Sequence, residues 1–117
     1  NESALRGHMP ALDIFKVDVD GADCDLMEAF LIRVPAKFVV TEVSDSIPPP
    51  FQFALHDTFN AVEASHLKAS RQVLWGCSIS YQVHILGSLG YVLLWRSPEN
   101  ALFGHRSVTK RLGLPGP

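Results

Sequence analysis

Asp18 and Asp20, two carboxylates at the end of an alternating apolar segment, are the residues of this sequence best placed to do chemistry. Successive side chains of an extended chain point to opposite sides, so these two share a face. Carboxylates this close raise each other's pKa, bind a metal or accept protons. Gly21 follows directly and Asp23 lies just beyond, while Glu42, Ser44 and Asp45 close a second apolar segment in the same manner. Ligands of open parallel sheets sit beyond the carboxyl ends of the strands, and that rule points to both groups. The purely structural reading of the same residues has Asp20 or Asp23 capping the next helix and Asp18 paired with Lys16. Lys16 lies inside the strand and needs a partner for its ammonium group. Glu42 on the neighbouring segment is the expected one, in a pair that would hold both strand ends in register.

The other reactive side chains are more scattered. His56 follows the prolines Pro48–Pro50 in a loop, where such folds place acceptor-binding residues, and is the candidate general base. The remaining histidines form no HxH or HxxxH pair, so a histidine metal site has no support. Ser78, Ser80 and Cys77 do not make a GxSxG nucleophile motif. In Asp18-Val19-Asp20-Gly21 the glycine comes too early for a calcium-binding loop. Cys24 and Cys77 are far apart and outside any CxxC spacing. They are expected to be free thiols in a reducing, cytoplasmic compartment, with neither a disulfide framework nor a zinc site.

The elements that must position these residues follow from periodicity. Residues 12–20 alternate, with Phe15, Val17 and Val19 on one side and Ile14, Lys16, Asp18 and Asp20 on the other, which predicts a strand ended by Gly21. From Ala22 to Arg33 the stripe Leu26, Met27, Phe30, Leu31 predicts an amphipathic helix closed by Pro35. Ala36–Val43 predicts a second strand, and strand–helix–strand at this spacing makes a βαβ unit with parallel neighbouring strands. Ile47–Phe51 is a proline-rich loop, and Ala61–Val73 is a candidate helix with a thin apolar stripe. A further helix is expected from Ser78, its N-cap, to Leu89, with Ile79, Val83, Leu86 and Leu89 inward and Gly90 in the left-handed position after it. Tyr91–Trp95 predicts a strand buried on both faces, and Ala101–Phe103 a short antiparallel return.

The expected class is therefore α/β, a partial Rossmann-like sheet that is mostly parallel, with a C-terminal antiparallel strand and helices on its faces. Residues 1–11 read as a linker, 12–105 as the folded unit and 106–117 as a flexible tail. The 117 residues make one domain, 47% apolar and 19% charged, which suffices for a core and excludes a disordered chain. A net charge of −2 supplies no electrostatic footprint for nucleic acid or an anionic membrane surface. No apolar run approaches the roughly 20 residues that span a bilayer. Asn1 rather than Met opens the chain, so it is expected to be a processed chain or a piece of a longer one.

Ile14-Phe15-Lys16-Val17-Asp18-Val19-Asp20-Gly21-Ala22-Asp23 resembles the strand motif of the FkbM-type methyltransferases, usually a K-I-D-V-E-G-A-E run. That family is a branch of the class I S-adenosylmethionine-dependent enzymes. Phe38–Val43 is similar to its following strand, and the late helix with Leu89-Gly90-Tyr91-Val92-Leu93 to its closing helix and strand. Asp20 and Asp23 stand where glutamates are commoner. The resemblance, from about Asp13 to Phe103, implies the C-terminal half of a methyltransferase domain that O-methylates a small molecule or sugar. It implies Asp18 near the methyl donor and acceptor, Asp20 and Glu42 shaping the crevice, and S-adenosylmethionine held mostly upstream of Asn1. Neither glycine cluster of this chain, Gly87–Gly90 or Leu112–Gly116, follows a strand and opens a helix. The isolated chain is therefore expected to be inactive. Two other readings remain. Asp18 and Asp20 also resemble the D-x-D-G-T strand of haloacid-dehalogenase-like phosphatases, as nucleophile and acid–base residue beside magnesium. There Ala22 replaces Thr or Val, and no later acidic pair completes the metal site. The third reading is a non-catalytic α/β module binding a partner through its sheet edge.

Overall fold

The computed structural model describes residues 9–19, 21–55 and 76–114. The elements, in chain order, are β1 (Leu12–Val17), α1 (Asp23–Arg33), β2 (Ala36–Glu42), α2 (Ile79–Ser88), β3 (Tyr91–Arg96), β4 (Asn100–His105) and α3 (Arg106–Arg111). The sheet order is β1-β2-β4-β3. β1 and β2 pair parallel, as the βαβ spacing requires, with Phe15 opposite Val39 and Val17 opposite Thr41. β4 slots antiparallel between β2 and β3. Three strands thus share one direction, but only one pairing is parallel: the sheet is mixed, not mostly parallel.

Register sorts the side chains into two faces. Phe15, Val17, Val39, Thr41, Ala101 and Phe103 share one face, which α1 and α2 cover. Met27, Leu31, Ile85 and Leu86 are buried in the same core, and Phe30 stacks on Phe15 at 4.4 Å between ring centroids. Both helices are rotated from the expected stripes. In α1 the inward residues are Cys24, Met27 and Leu31, while Leu26 and Phe30 lie partly in solvent. In α2 they are Ile79, Gln82, Ile85 and Leu86, and Val83 faces out. Gln82 drives the second rotation, because its amide is fully satisfied inside. It accepts from the Thr41 hydroxyl and donates to the carbonyls of Glu42 (2.8 Å) and Cys77 (3.2 Å). Ser78 caps α2 as expected: its hydroxyl accepts from Tyr81 N–H (3.3 Å) and Phe53 N–H (3.0 Å) and donates to the Phe51 carbonyl (2.9 Å).

Tyr91 reaches across to the start of β2. Its hydroxyl accepts from Ala36 N–H (2.9 Å) and donates to the Ala36 carbonyl (2.8 Å), so one side chain satisfies both groups of a buried residue. Burial raises the Tyr91 phenol above its ordinary value, partly offset by that backbone hydrogen bond. Gly90, at φ +95°, makes the preceding turn.

The opposite face is barer. Ile14 and Lys16 lie exposed on it, while Phe38, Val40 and Leu102 are half-buried. β3, expected to be buried on both faces, is an outer strand, so Trp95 and Leu93 are partly exposed. The stretch from Arg106, expected to fray, instead forms α3, with Val108 and Thr109 buried. A Cβ at Gly104 would lie 2.8 Å from Leu94 Cδ1 and 2.9 Å from Thr109 Cγ2, so glycine is what lets α3 approach β4.

Cys24 and Cys77 form a disulfide, contrary to the expectation of free thiols. The distance along the chain that argued against the pairing disappears on folding. α1 follows β1 and Cys77 precedes α2, and both ends meet beneath the carboxyl ends of β1 and β2. A crosslink across 53 residues removes about 4 kcal/mol of denatured-state entropy in the loop-closure model. The expectation of a reducing compartment loses its ground, since disulfides persist under oxidising conditions. Among the described residues no helix is long and apolar enough to cross a membrane.

Two measurements check this packing. Urea unfolding with and without reductant should show the oxidised chain more stable by about 4 kcal/mol, and the Cys24→Ser/Cys77→Ser variant should match the reduced chain. His105 Nδ1 accepts from Ser107 N–H (3.3 Å) at the start of α3. Burial first, then the neighbouring Arg106, lowers the His105 pKa below its ordinary 6.5. A lowered histidine pKa favours the neutral ring in the fold. Its contribution is therefore present above pH 6.5 and is lost as pH falls through the folded value, when protonation removes the cap acceptor. An NMR titration should place His105 below 6.5, and His105→Asn should flatten the acid limb of the stability profile.

Candidate functional site

The carboxyl ends of β1 and β2 gather the acidic residues. Asp23 opens α1 with its carboxylate buried at 3% exposure. It accepts from Gly21 N–H at 3.0 Å and Val19 N–H at 3.4 Å. A buried carboxylate needs such donors, and the helix N-terminus adds favourable potential. Asp23 therefore folds the β1–α1 loop back over the helix start. It is not the N-cap: Ala22 holds that position without a side-chain bond.

Asp18 continues the β1 register. With Lys16 opposite Val40 and Val17 opposite Thr41, the next step brings Asp18 beside Glu42. Oxygens of Asp18, Asp23 and Glu42 all lie within 4.8 Å of one another. Asp23, Glu42, Val43, Ser44 and Gly76 line a narrow cleft there. Glu42, Val43 and Ser44 continue into a cavity of about 380 Å³ completed by Asp45, Ser46, Pro98 and Glu99. Backbone bonds frame the crevice: Val43 N–H to the Glu99 carbonyl (2.8 Å), Ser44 N–H to that of Cys77 (2.9 Å) and Gly76 N–H to that of Gly21 (2.9 Å). Arg96 donates to Asp45 at 3.1 Å on its rim.

Such a crevice attracts cations and repels anions. Its carboxylates can accept a proton from a hydroxyl, and as hard oxygen donors they are of the kind that hold a divalent cation. A second cavity, of about 680 Å³, lies at the amino ends of the strands between Met9–Ala11, Leu31–Pro35, Leu89 and His105. Its walls are mainly apolar, and Arg33 and His105 are its polar groups.

The structure brings together Asp18 and Glu42 of the expected site residues. Asp20 and His56 lie outside the described residues, as does the candidate helix Ala61–Val73. The expected Lys16–Glu42 pair does not form. Lys16 is exposed opposite Val40, two residues short of Glu42, while Lys37 pairs with Asp13 (2.7 Å) and Arg96 with Asp45. Asp23, to which the strand-end rule pointed and which was also read as a cap, joins Asp18 and Glu42 in the crevice. The strand-to-helix turn that carries it was the signal, since it aims the first helical turn at the strand ends. No family model matches the chain, and neither does a curated protein or a solved structure.

Removing the Asp23 carboxylate should loosen this end of the fold. Asp23→Ala is expected to lower stability by about 1–3 kcal/mol, because two backbone donors lose their acceptor. Exposed Asp18→Ala should stay within about 0.5 kcal/mol of the parent in the same urea titration.

Proposed function

We propose that the chain is the C-terminal half of a class I methyltransferase domain of FkbM type, transferring a methyl group from S-adenosylmethionine to a hydroxyl of a small molecule or sugar. The observation that carries the reading is the meeting of Asp18 and Glu42, from the two resembling motifs, in one crevice at the carboxyl ends of adjacent parallel strands. Ligands of such sheets bind at that end. The antiparallel last strand, expected from the turn before Ala101–Phe103, is in keeping with this.

The donor set fits one part of the cofactor. Three carboxylates favour a cationic centre beside them, and a sulfonium is one. Among the described residues nothing fits the nucleotide part, and by the resemblance that part would be held mostly upstream. When bound, the cofactor supplies an activated methyl group. The rest of the work falls to this chain's own residues. Asp18, exposed at the mouth, accepts the proton of the acceptor hydroxyl. Glu42 and the buried Asp23 hold the negative potential. The cavity along Ser44, Asp45 and Ser46 takes the acceptor through hydrogen bonds that sugar hydroxyls can complement. The disulfide supports an oxidising compartment for this activity over the cytoplasm.

The acid cluster also favours a second reading, a magnesium-dependent phosphatase using Asp18 and Asp20. The two separate on substitution. In the protein carrying its cofactor half, Asp18→Asn should cut methyl transfer at least about 100-fold, as expected for loss of a general base. Phosphatase turnover that requires Mg²⁺ and is abolished by the same substitution would establish the other reading instead.

A further inference from the structure

The cavity at the amino ends of the strands lies across the sheet from the acidic crevice, and the methyltransferase reading makes no use of it. Its volume of about 680 Å³ falls in the range of small-molecule sites. The chain entering β1 at Met9–Ala11, the passage from α1 into β2 and Leu89 at the end of α2 line it with apolar side chains. Two of these, Ile32 and Val34, stand 63% and 44% exposed, so apolar wall is left in contact with water.

The polar groups of the cavity are donors. Arg33 ends α1 in solvent, with no ion pair among the described residues. His105 Nδ1 accepts from the Ser107 N–H (3.3 Å) and from its hydroxyl (2.7 Å), so the neutral ring carries its proton on Nε2. That N–H meets no acceptor among the described residues. No described carboxylate lines the cavity. The carbonyls of the nearby helix ends are engaged: Phe30 by Val34 N–H (2.8 Å), Leu86 by Leu89 N–H (3.0 Å) and Gly87 by Gly90 N–H (3.2 Å). A basic residue in the last turn of a helix ordinarily offsets the helix dipole. The unmet His105 donor and the wet aliphatic walls add a ligand to that role.

We infer that this cavity binds a carboxylate carrying an apolar tail. The tail covers Ile32, Val34 and Leu89, and the carboxylate accepts from the Arg33 guanidinium and from His105 Nε2–H. A guanidinium matches a carboxylate fork to fork, and hydrogen bonds between ionised partners are stronger than neutral ones. A cationic ligand would meet Arg33 with like charge. An uncharged apolar one would cover both donors without supplying an acceptor, which costs their hydration. The inference does not rest on the methyltransferase reading, and because the two sites lie at opposite ends of the sheet, either can fail alone.

An NMR titration of the 117-residue chain, disulfide intact, with decanoate at neutral pH tests it. Saturable shifts are expected at the amides of Met9, Ala11, Val34 and Leu89. Arg33→Glu should weaken binding at least about tenfold, and so should replacing decanoate by uncharged 1-decanol on the parent. Arg33→Lys should retain more affinity than Arg33→Glu. Arg33 is exposed, so both variants should keep the fold, which circular dichroism checks. Absence of saturable shifts overturns the inference, as do shifts confined to the neighbouring hollow at Leu26 and Ala29. Decanol binding as tightly as decanoate, or Arg33→Glu without effect, overturns it as well.

Discussion

The junction at Gly76–Ser78 ties together segments that the chain otherwise keeps far apart, and the carboxyl-end architecture depends on it. Cys77 is bonded to Cys24 in the first turn of α1, and its carbonyl accepts from Ser44 N–H after β2 and from the Gln82 amide inside α2. Gly76 N–H donates to the Gly21 carbonyl after β1, and Ser78 caps α2 while holding the backbone of Phe51 and Phe53. Hydrogen bonds between such short segments contribute about 1 kcal/mol each and would not alone offset the entropy of closing the loops. The covalent link lowers that entropy in the denatured chain, and the polar bonds then fix the geometry.

That geometry sets the electrostatics of the crevice. Asp23 is buried and must have donors, so the β1–α1 loop wraps around it. The parallel register of β1 and β2 brings Asp18 alongside Glu42. The result is a patch of negative potential at the sheet end where ligands bind, opening into a cavity rimmed by Ser44, Ser46 and an Arg96–Asp45 pair.

The local pattern made much of this legible. Alternation at Phe15, Val17 and Val19 marked β1, the spacing to Ala36 demanded a parallel pair, and Ser78 and Gly90 bracketed α2 with the right cap and the right left-handed glycine. What the pattern could not carry were choices made by tertiary context. Gln82 lies off the expected stripe, but Thr41 and two carbonyls give its amide partners inside, and this turns α2 away from Val83. β3 looked doubly buried because apolar side chains do not reveal that a later strand will take the central place. The Cys24–Cys77 bond was invisible because separation along the chain says nothing of proximity in space. For the site, strand-end position found Asp18 and Glu42. Asp23 fell under the same rule and was also read as a helix cap; its burial against the Gly21 and Val19 N–H groups is what the sequence did not show.

The methyltransferase reading stands or falls on what precedes β1, since the crevice offers charge for a cationic centre but no cradle for a nucleotide. The most direct measurement is to read the coding sequence upstream of Asn1. The account expects a strand, a glycine-rich turn opening a helix, and then an acidic residue ending a second strand, together roughly 100 residues, the size of a half-domain. An initiator methionine close to Asn1, with nothing before it, would contradict the account and leave the acidic crevice without a cofactor to serve.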